Sequence, residues 1–463
     1  MKYDDSDVES IYSYGKTIVG KNLESIRNEG GHTSSELELK KEDKGKLGVF
    51  IQFYWYGKKR DNDKDRDFPK AKLELKTTGV HEKKKRWAIK EPLSICQINF
   101  DHLDKESWET SYVREKMSKM LIFFYRYEKN SDFMKTVIHD LMIFDIEKYE
   151  NLLKSDWKVI HKKNKDGLAH LLSGKDTLYL ATAPKGSNVE YTVKQPNNRK
   201  NLAKKLGYRL KASFVQTAWD NFKNPDNYNT LSKIKNIETD LKEIILSNLH
   251  KLKSDTINGL SKKYNISVPK SKDCIYQFLS KILGFKNLKL KILEVEAAGI
   301  AFKTVSANPK NFVPYEAMSF PAEKIMELEK QNWEESNLYN VLSNILLIIP
   351  TYRDKKKISI KDGEIGSAFF WRPSEKELNE IKKEWEMYRN EFINGKGKVE
   401  IINNREVLGI TKASSTKYIH MRPHATKQQA KDCDSHGNYF CKHSFWLNIH
   451  YIKDILMNNQ IDY

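Results

Sequence analysis

From Ala71 to Thr77 apolar and polar residues alternate, and that period of two predicts a strand. Residues two apart on a strand share a face, so Glu74 and Lys76 point the same way, and Asp67 sits just before the strand. Upstream, the segment opening with Lys44-Gly45-Lys46-Leu47-Gly48 has helical periodicity to Tyr56, with Gly57 as its terminator. Downstream, Ser111 to Met120 reads as a helix feeding an apolar strand at 121–125. A turn-rich stretch, Asn224-Pro225-Asp226-Asn227-Tyr228-Asn229, interrupts the pattern, and helical spacing resumes from Ile237 to Leu252.

The pattern then repeats. Gly57 aligns with Gly284, Asp67 with Glu294, Glu74 with Ala301 and Lys76 with Lys303, at a constant offset of 227 (303 − 76). Trp108-Glu109-Thr110-Ser111 matches Trp333-Glu334-Glu335-Ser336 at an offset of 225 (333 − 108). That match runs on without a gap into the apolar runs beginning at Met120 and Ile345. Thr17-Ile18-Val19-Gly20 pairs with Thr256-Ile257-Asn258-Gly259, and Lys211-Ala212-Ser213-Phe214 with Lys442-His443-Ser444-Phe445. Ordered matches at so long a period mean two tandem copies of one domain rather than a solenoid. With 463 residues, each half is long enough for its own core, and the expected domains are 1–225 and 226–463.

The copies differ where chemistry is carried. Asp67, then Glu74-Leu75-Lys76, has the acid…acid-x-Lys spacing of metal-dependent nucleases. Two carboxylates there can hold Mg²⁺, which prefers oxygen ligands and keeps several waters. The lysine can orient the attacking water or the phosphate. Lys116 and Gln52 add polar groups from the flanking helices, and the second copy has apolar Val341 and Leu279 at those places, besides Ala301 for Glu74. The first copy is therefore expected to hold the chemistry and the second to have lost it.

Charge points to the partner. There are 81 Lys and Arg against 62 Asp and Glu, a formal charge of +19, which favours a polyanion because phosphate neutralisation releases counterions. The tract Tyr191 to Lys211 concentrates it, with Lys194, Arg199, Lys200, Lys204, Lys205, Arg209 and Lys211 as phosphate contacts. The longest apolar runs, around Leu121 and Leu346, are too short to span a membrane. The polar, acidic N-terminus has no signal-peptide core, so a cytoplasmic protein with no membrane partner is expected. Cys433, His436, Cys441 and His443 cluster, but their spacing fits no familiar zinc finger. The four cysteines are expected as free thiols.

These motifs together resemble the MutH-like restriction endonucleases of the Sau type. The likeness rests on Lys44-Gly45-Lys46-Leu47-Gly48, Asp67…Glu74-Leu75-Lys76 and Trp108-Glu109-Thr110-Ser111. It continues through Tyr179-Leu180-Ala181-Thr182-Ala183-Pro184-Lys185-Gly186 with Gln195-Pro196, and Ile419-His420-Met421-Arg422-Pro423-His424 with Lys442-His443-Ser444-Phe445-Trp446. The resemblance implies an α/β fold of two tandem restriction-endonuclease-like domains, each a mixed central sheet flanked by helices. It implies Mg²⁺-dependent double-strand cleavage at 5′-GATC-3′, with Asp67, Glu74 and Lys76 as the catalytic set and Lys116 in support. Gln52 stands where the family has a glutamate, so one charged ligand is missing. An Arg-Pro pair marks the family's DNA-reading loop; the first half has Ala183-Pro184 and the second Arg422-Pro423. Lys185, Arg209, Lys211, Arg422, Pro423 and Lys442 are the expected DNA contacts.

The second domain is implied to bind another DNA site and regulate the first. The expected partners are GATC duplex DNA and, genetically, a GATC methyltransferase, with a monomer in solution that can pair on DNA. Two other readings are a mismatch-repair nickase, which needs only one such domain, and a binding regulator with two dead folds, which the intact Asp67, Glu74 and Lys76 oppose.

Overall fold

The computed structural model describes residues 2–30, 45–58, 65–83, 86–128, 131–184, 192–230, 241–270, 274–283, 291–402, 405–423 and 431–459. Contacts divide the chain into two units. The first is Met1–Glu238 with Leu290–Gly299, the second Thr239–Lys289 with Ile300–Tyr463. This division lies beyond the expected break at 225/226, and a short later segment groups with the first unit.

The first unit is built on helices α1 (Leu23–Gly30) and α2 (Lys46–Phe50), strands β1 (Glu74–Lys83), β2 (Arg86–Ile89) and β3 (Leu93–Gln97), and helix α3 (Tyr112–Met117). Then come β4 (Lys119–Arg126), β5 (Ile138–Asp145), α4 (Glu150–Lys165), β6 (Leu180–Pro184), β7 (Leu206–Leu210) and α5 (Ala212–Lys223). One sheet has the order β2-β1-β4-β5, with β1 and β4 parallel and the outer pairs antiparallel. A second, antiparallel sheet has the order β3-β7-β6. Leu75, Leu121 and Phe123 bury one face of β1 and β4 against Leu47, Phe50, Ile51 and Trp55. The expected helix from Lys44 to Tyr56 is an α-turn that widens into a π-turn over Ile51–Trp55, closed by Gly57 at φ +67°.

The second unit repeats this plan with α6 (Ile257–Tyr264), α7 (Cys274–Ile282), β8 (Ala301–Ala307), β9 (Met318–Ala322), α8 (Asn337–Leu342) and β10 (Leu346–Tyr352). β11 (Glu364–Ile365), β12 (Phe369–Trp371), α9 (Glu375–Ile393), β13 (Ile419–Pro423), β14 (His443–Leu447) and α10 (Ile449–Asn458) complete it. β8 pairs parallel with β10, and the small sheet runs β9-β14-β13, the order of β3-β7-β6. Its core includes Leu346, Ile348, Trp385, Tyr388 and Phe445.

Hydrogen bonds outside the ladders repeat as well. Asp156 in α4 accepts from the amides of Leu178, Tyr179 and Leu180, and Glu384 in α9 accepts from Lys417, Tyr418 and Ile419. Each acid precedes a tryptophan, and the pairs Trp108–Trp157 and Trp333–Trp385 lie 5.9 and 5.5 Å apart, both at 59°. Ser111 and Ser336 cap α3 and α8 and donate to the carbonyls of Trp108 and Trp333. The two units are thus copies of one mixed α/β fold, as expected.

Three of the pairings read from the sequence are corrected. Lys211-Ala212-Ser213-Phe214 starts helix α5, whereas His443-Ser444-Phe445 lies in strand β14, whose counterpart is β7. The shared Lys-x-Ser-Phe is coincidence; Lys211 and Asn448 are the equivalent N-caps. Thr256 caps α6 and bridges Glu364; its counterpart is Asn22, which caps α1 and bridges Val137, not Thr17. Finally, Glu74 pairs with Met120 and Ala301 with Leu346, so Met120 corresponds to Leu346 rather than Ile345. The extra residue falls between the helix, where Lys116 still matches Val341, and the strand.

Candidate active site

The site is set by a turn, a strand and a helix. β1 begins at Glu74, not Ala71, because Pro69 to Lys72 form a tight turn closed by reciprocal Phe68–Leu73 backbone bonds of 3.0 and 3.1 Å. Phe68 and Leu73 are fully buried, which pins both ends of the turn. Lys72 completes it with φ +50°, unusual for a residue with a Cβ. The turn carries Asp67 back beside the strand, where Oδ2 accepts a 2.6 Å bond from the Leu75 amide.

Glu74 is 6% exposed and Lys116 7% exposed, so both charges need partners. Lys116 Nζ donates to Glu74 Oε2 at 3.0 Å and to the Asp65 carbonyl at 2.8 Å. Lys76 Nζ donates to Glu74 Oε1 at 2.8 Å. Each Glu74 oxygen therefore holds one ammonium. Burial, then the neighbouring Glu74 charge, pushes the Asp67 carboxyl above its ordinary value, against the Leu75 amide and the two lysines.

The structure thus brings Asp67, Glu74, Lys76 and Lys116 together. Gln52 is placed differently. It lies in the π-turn following α2. Among the described residues no hydrogen bond joins the Gln52 side chain to the four.

The donor set fits a hard divalent cation. Carboxylate oxygens have two acceptor positions each, so Asp67 and Glu74 keep free lone pairs beside the bonds described. An ion there would also relieve the repulsion that raises Asp67. Among the described residues no group of three or more His, Cys, Asp or Glu side chains forms a ready cage, so the remaining positions would fall to water or phosphate. The histidines of the Cys433 cluster have other partners: His436 Nε2 lies 2.8 Å from the Ile393 carbonyl and His443 Nδ1 contacts the Cys441 carbonyl, and none of the four cysteines is in a disulfide.

The expected DNA contacts fall in several places. Arg422 and Pro423 end β13 opposite Ser444 and His443, so exposed Lys442 lies at the same end of that ladder. The Arg422 guanidinium stacks 3.6 Å over the Trp446 ring. In the first unit Ala183 and Pro184 hold the equivalent register against Gly207 and Leu206, and Arg209 donates to the Pro184 carbonyl at 3.3 Å. Lys211 stands at the other end of that ladder, its amine on the Thr177 carbonyl near Asp156. Lys185 lies outside the described residues. Lys194, Arg199, Lys200 and Lys204 are exposed.

Known proteins match both halves of the chain. The family described as DNA mismatch repair enzyme MutH matches residues 56–156, which carry Asp67, Glu74, Lys76 and Lys116, and matches again at 286–384. The chain is 26% identical to the type II restriction enzyme Sau3AI of Staphylococcus aureus, over 96% of this chain and 97% of that one. The chain resembles the MutH-like restriction endonucleases of the Sau type, and it is a site-specific deoxyribonuclease. The MutH protein of an Escherichia coli strain (O1:K1 / APEC) is 24% identical over 45% of this chain and 89% of its own, and that of Haemophilus influenzae 23% over 33% and 70%. The restriction enzyme is thus matched along its whole length, whereas a MutH protein is matched by less than half of this chain. No helix among the described residues is long and apolar enough to cross a membrane.

Three residues escaped the sequence reading. Asp156 and Glu384 clamp the entry to β6 and β13, and the signal was an acid directly before a tryptophan in each copy. Arg66, beside Asp67, carried no signal beyond its position.

Proposed function

We propose that this endonuclease cuts both strands of DNA at 5′-GATC-3′ in a Mg²⁺-dependent reaction, with residues 1–225 catalytic and 226–463 binding a second DNA site. The observation that carries the catalytic assignment is Glu74, buried, with one lysine on each oxygen and Asp67 beside it. Asp67 and Glu74 would hold the ion. The chemistry it supplies when bound is a more acidic water and an offset to charge on the phosphate. Lys76 is exposed enough to leave Glu74 and orient that water or a phosphate oxygen, its side chain being 18% accessible. Lys116, at 9%, stays to neutralise Glu74 and hold the turn. Gln52 brings no charge and acts at most as an auxiliary.

The second unit keeps the Arg422-Pro423 end of its small sheet and has Ala301 and Val341 in place of Glu74 and Lys116. A fork of donors such as Arg422 suits guanine O6 and N7. GATC specificity rests on the likeness to the Sau type, as does a companion methyltransferase that would protect the host's sites. Matching of both halves by one restriction enzyme favours this reading over a one-domain repair nickase. The test is incubation of the full chain with methylated and unmethylated GATC plasmids, with Mg²⁺ and with chelator. Linear products only with Mg²⁺, lost when the GATC sites are removed, are expected. Nicked circles alone would favour the nickase, and cutting that ignores GATC would contradict the specificity.

A further inference from the structure

Arg66 stands directly before Asp67, yet its side chain is turned inward and is 14% accessible. Its Nη1 donates to the Lys72 carbonyl at 2.8 Å, and its Nη2 lies 3.8 Å from Glu115 Oε1 on α3. Lys72 is the left-handed residue that completes the turn, so Arg66 spans the turn from its first limb to its last. On the other side of Arg66, Lys116 of α3 holds the Asp65 carbonyl at 2.8 Å. The turn that aims Asp67 is therefore stapled at Asp65 and at Lys72, and both staples involve α3. The second copy lacks both ends of the arginine link: by the same offsets Arg66 corresponds to Leu293 and Glu115 to Asn340.

We propose that Arg66 is a positioning residue, holding the Asp67 carboxylate at the distance from Glu74 that a shared divalent cation requires. The assignment rests on Asp67 and Glu74 being the metal pair. A fork is needed because two partners lie in different directions, which an ammonium cannot span. The exposed Glu115 partner contributes little energy, so the Lys72 carbonyl is the bond that matters. Arg66 is not a phosphate contact, since its donors face the protein.

The test uses the full chain with Arg66→Ala and Arg66→Gln, the glutamine retaining one donor for the carbonyl. Two readouts are followed: the Mg²⁺ concentration giving half-maximal cleavage, and deuterium exchange at the Leu75 amide in metal-free protein. Loss of an outer support of this kind costs about 10–100-fold in metal affinity. Arg66→Ala should raise the half-maximal Mg²⁺ by about 10-fold or more, speed exchange at Leu75, and leave duplex affinity in metal-free buffer within about twofold. Arg66→Gln should fall between, and it decides the matter if the alanine protein does not fold. Unchanged Mg²⁺ dependence and unchanged Leu75 exchange would overturn the proposal. So would weaker duplex binding with a salt slope reduced by about one, which marks a lost phosphate contact. A Glu74→Ala control separates the two levels: if it cuts normally the metal pair itself is misassigned, whereas an inactive control beside a normal Arg66→Ala protein removes only the role of Arg66.

Discussion

Glu74 and Ala301 occupy the same place in two copies of one strand, paired with Met120 and Leu346, and the difference between them extends well past one side chain. In the first copy the carboxylate gathers two lysines. In the second, Lys303 has turned to the Ser319 carbonyl at 2.6 Å and lies 5.0 Å from the Phe320 ring centroid, while Val341 packs on the apolar core. A buried lysine facing alanine would be an uncompensated charge, so loss of the acid fits with loss of Lys116 and resettling of the other lysine. Glu294, aligned with Asp67, sits in a short helix, Leu293–Ala298, rather than in a tight turn. The second copy has lost the acid, its supporting lysine and the turn, and has kept the scaffold with its arginine-bearing end.

The comparison breaks most sharply at the acids. Asp67→Ala should abolish cleavage, and Gln52→Ala should only slow it, because an uncharged amide replaces no carboxylate ligand. Single-turnover cleavage of a one-site duplex measures both; equal losses in folded proteins would make Gln52 an essential ligand. In the second copy, Arg422→Ala should weaken duplex binding by about 1–3 kcal/mol and relax sequence preference if the fork reads a base. A uniform loss over all sequences, measured by fluorescence titration against scrambled duplex, would reduce Arg422 to a backbone contact.

The smallest effect concerns the shared clamp. Burial pushes the Asp156 carboxyl up to about 6, against three amide bonds and Lys211 that pull it down. A raised folded value means its stabilisation is complete below the unfolded value near 4 and is lost as pH rises through about 6. Asp156→Asn cannot titrate. Urea melts at pH 4 and pH 7 should therefore show the stability of wild type relative to the variant falling by roughly 2 kcal/mol as pH rises. A constant difference would mean that the amides hold Asp156 ionised throughout.

Much of this was legible in the chain. Alternation placed Glu74 and Lys76 on one face, and the apolar counterparts of Glu74 and Lys116 marked the second copy as changed. The start of β1 moved from Ala71 to Glu74 because Lys72 adopts a left-handed turn that its residue type does not advertise. The pairing of Lys211 with Lys442 failed since four-residue identity says nothing about whether a segment is helix or strand. Asp156, Glu384 and Arg66 act on main-chain groups, which are the same at every residue; only the acid-tryptophan pair repeated in each copy marks the two clamps, and Arg66 leaves no mark.

Whether the first copy alone cuts is decided by cleavage of unmethylated GATC plasmid by full-length Glu74→Ala protein with Mg²⁺, alongside its affinity for GATC duplex. Cleavage should disappear while duplex binding stays near wild type, because binding rests on many phosphate contacts. Continued cutting by that protein would place the chemistry elsewhere, in the second copy or in residues outside Asp67, Lys76 and Lys116, and would contradict the account.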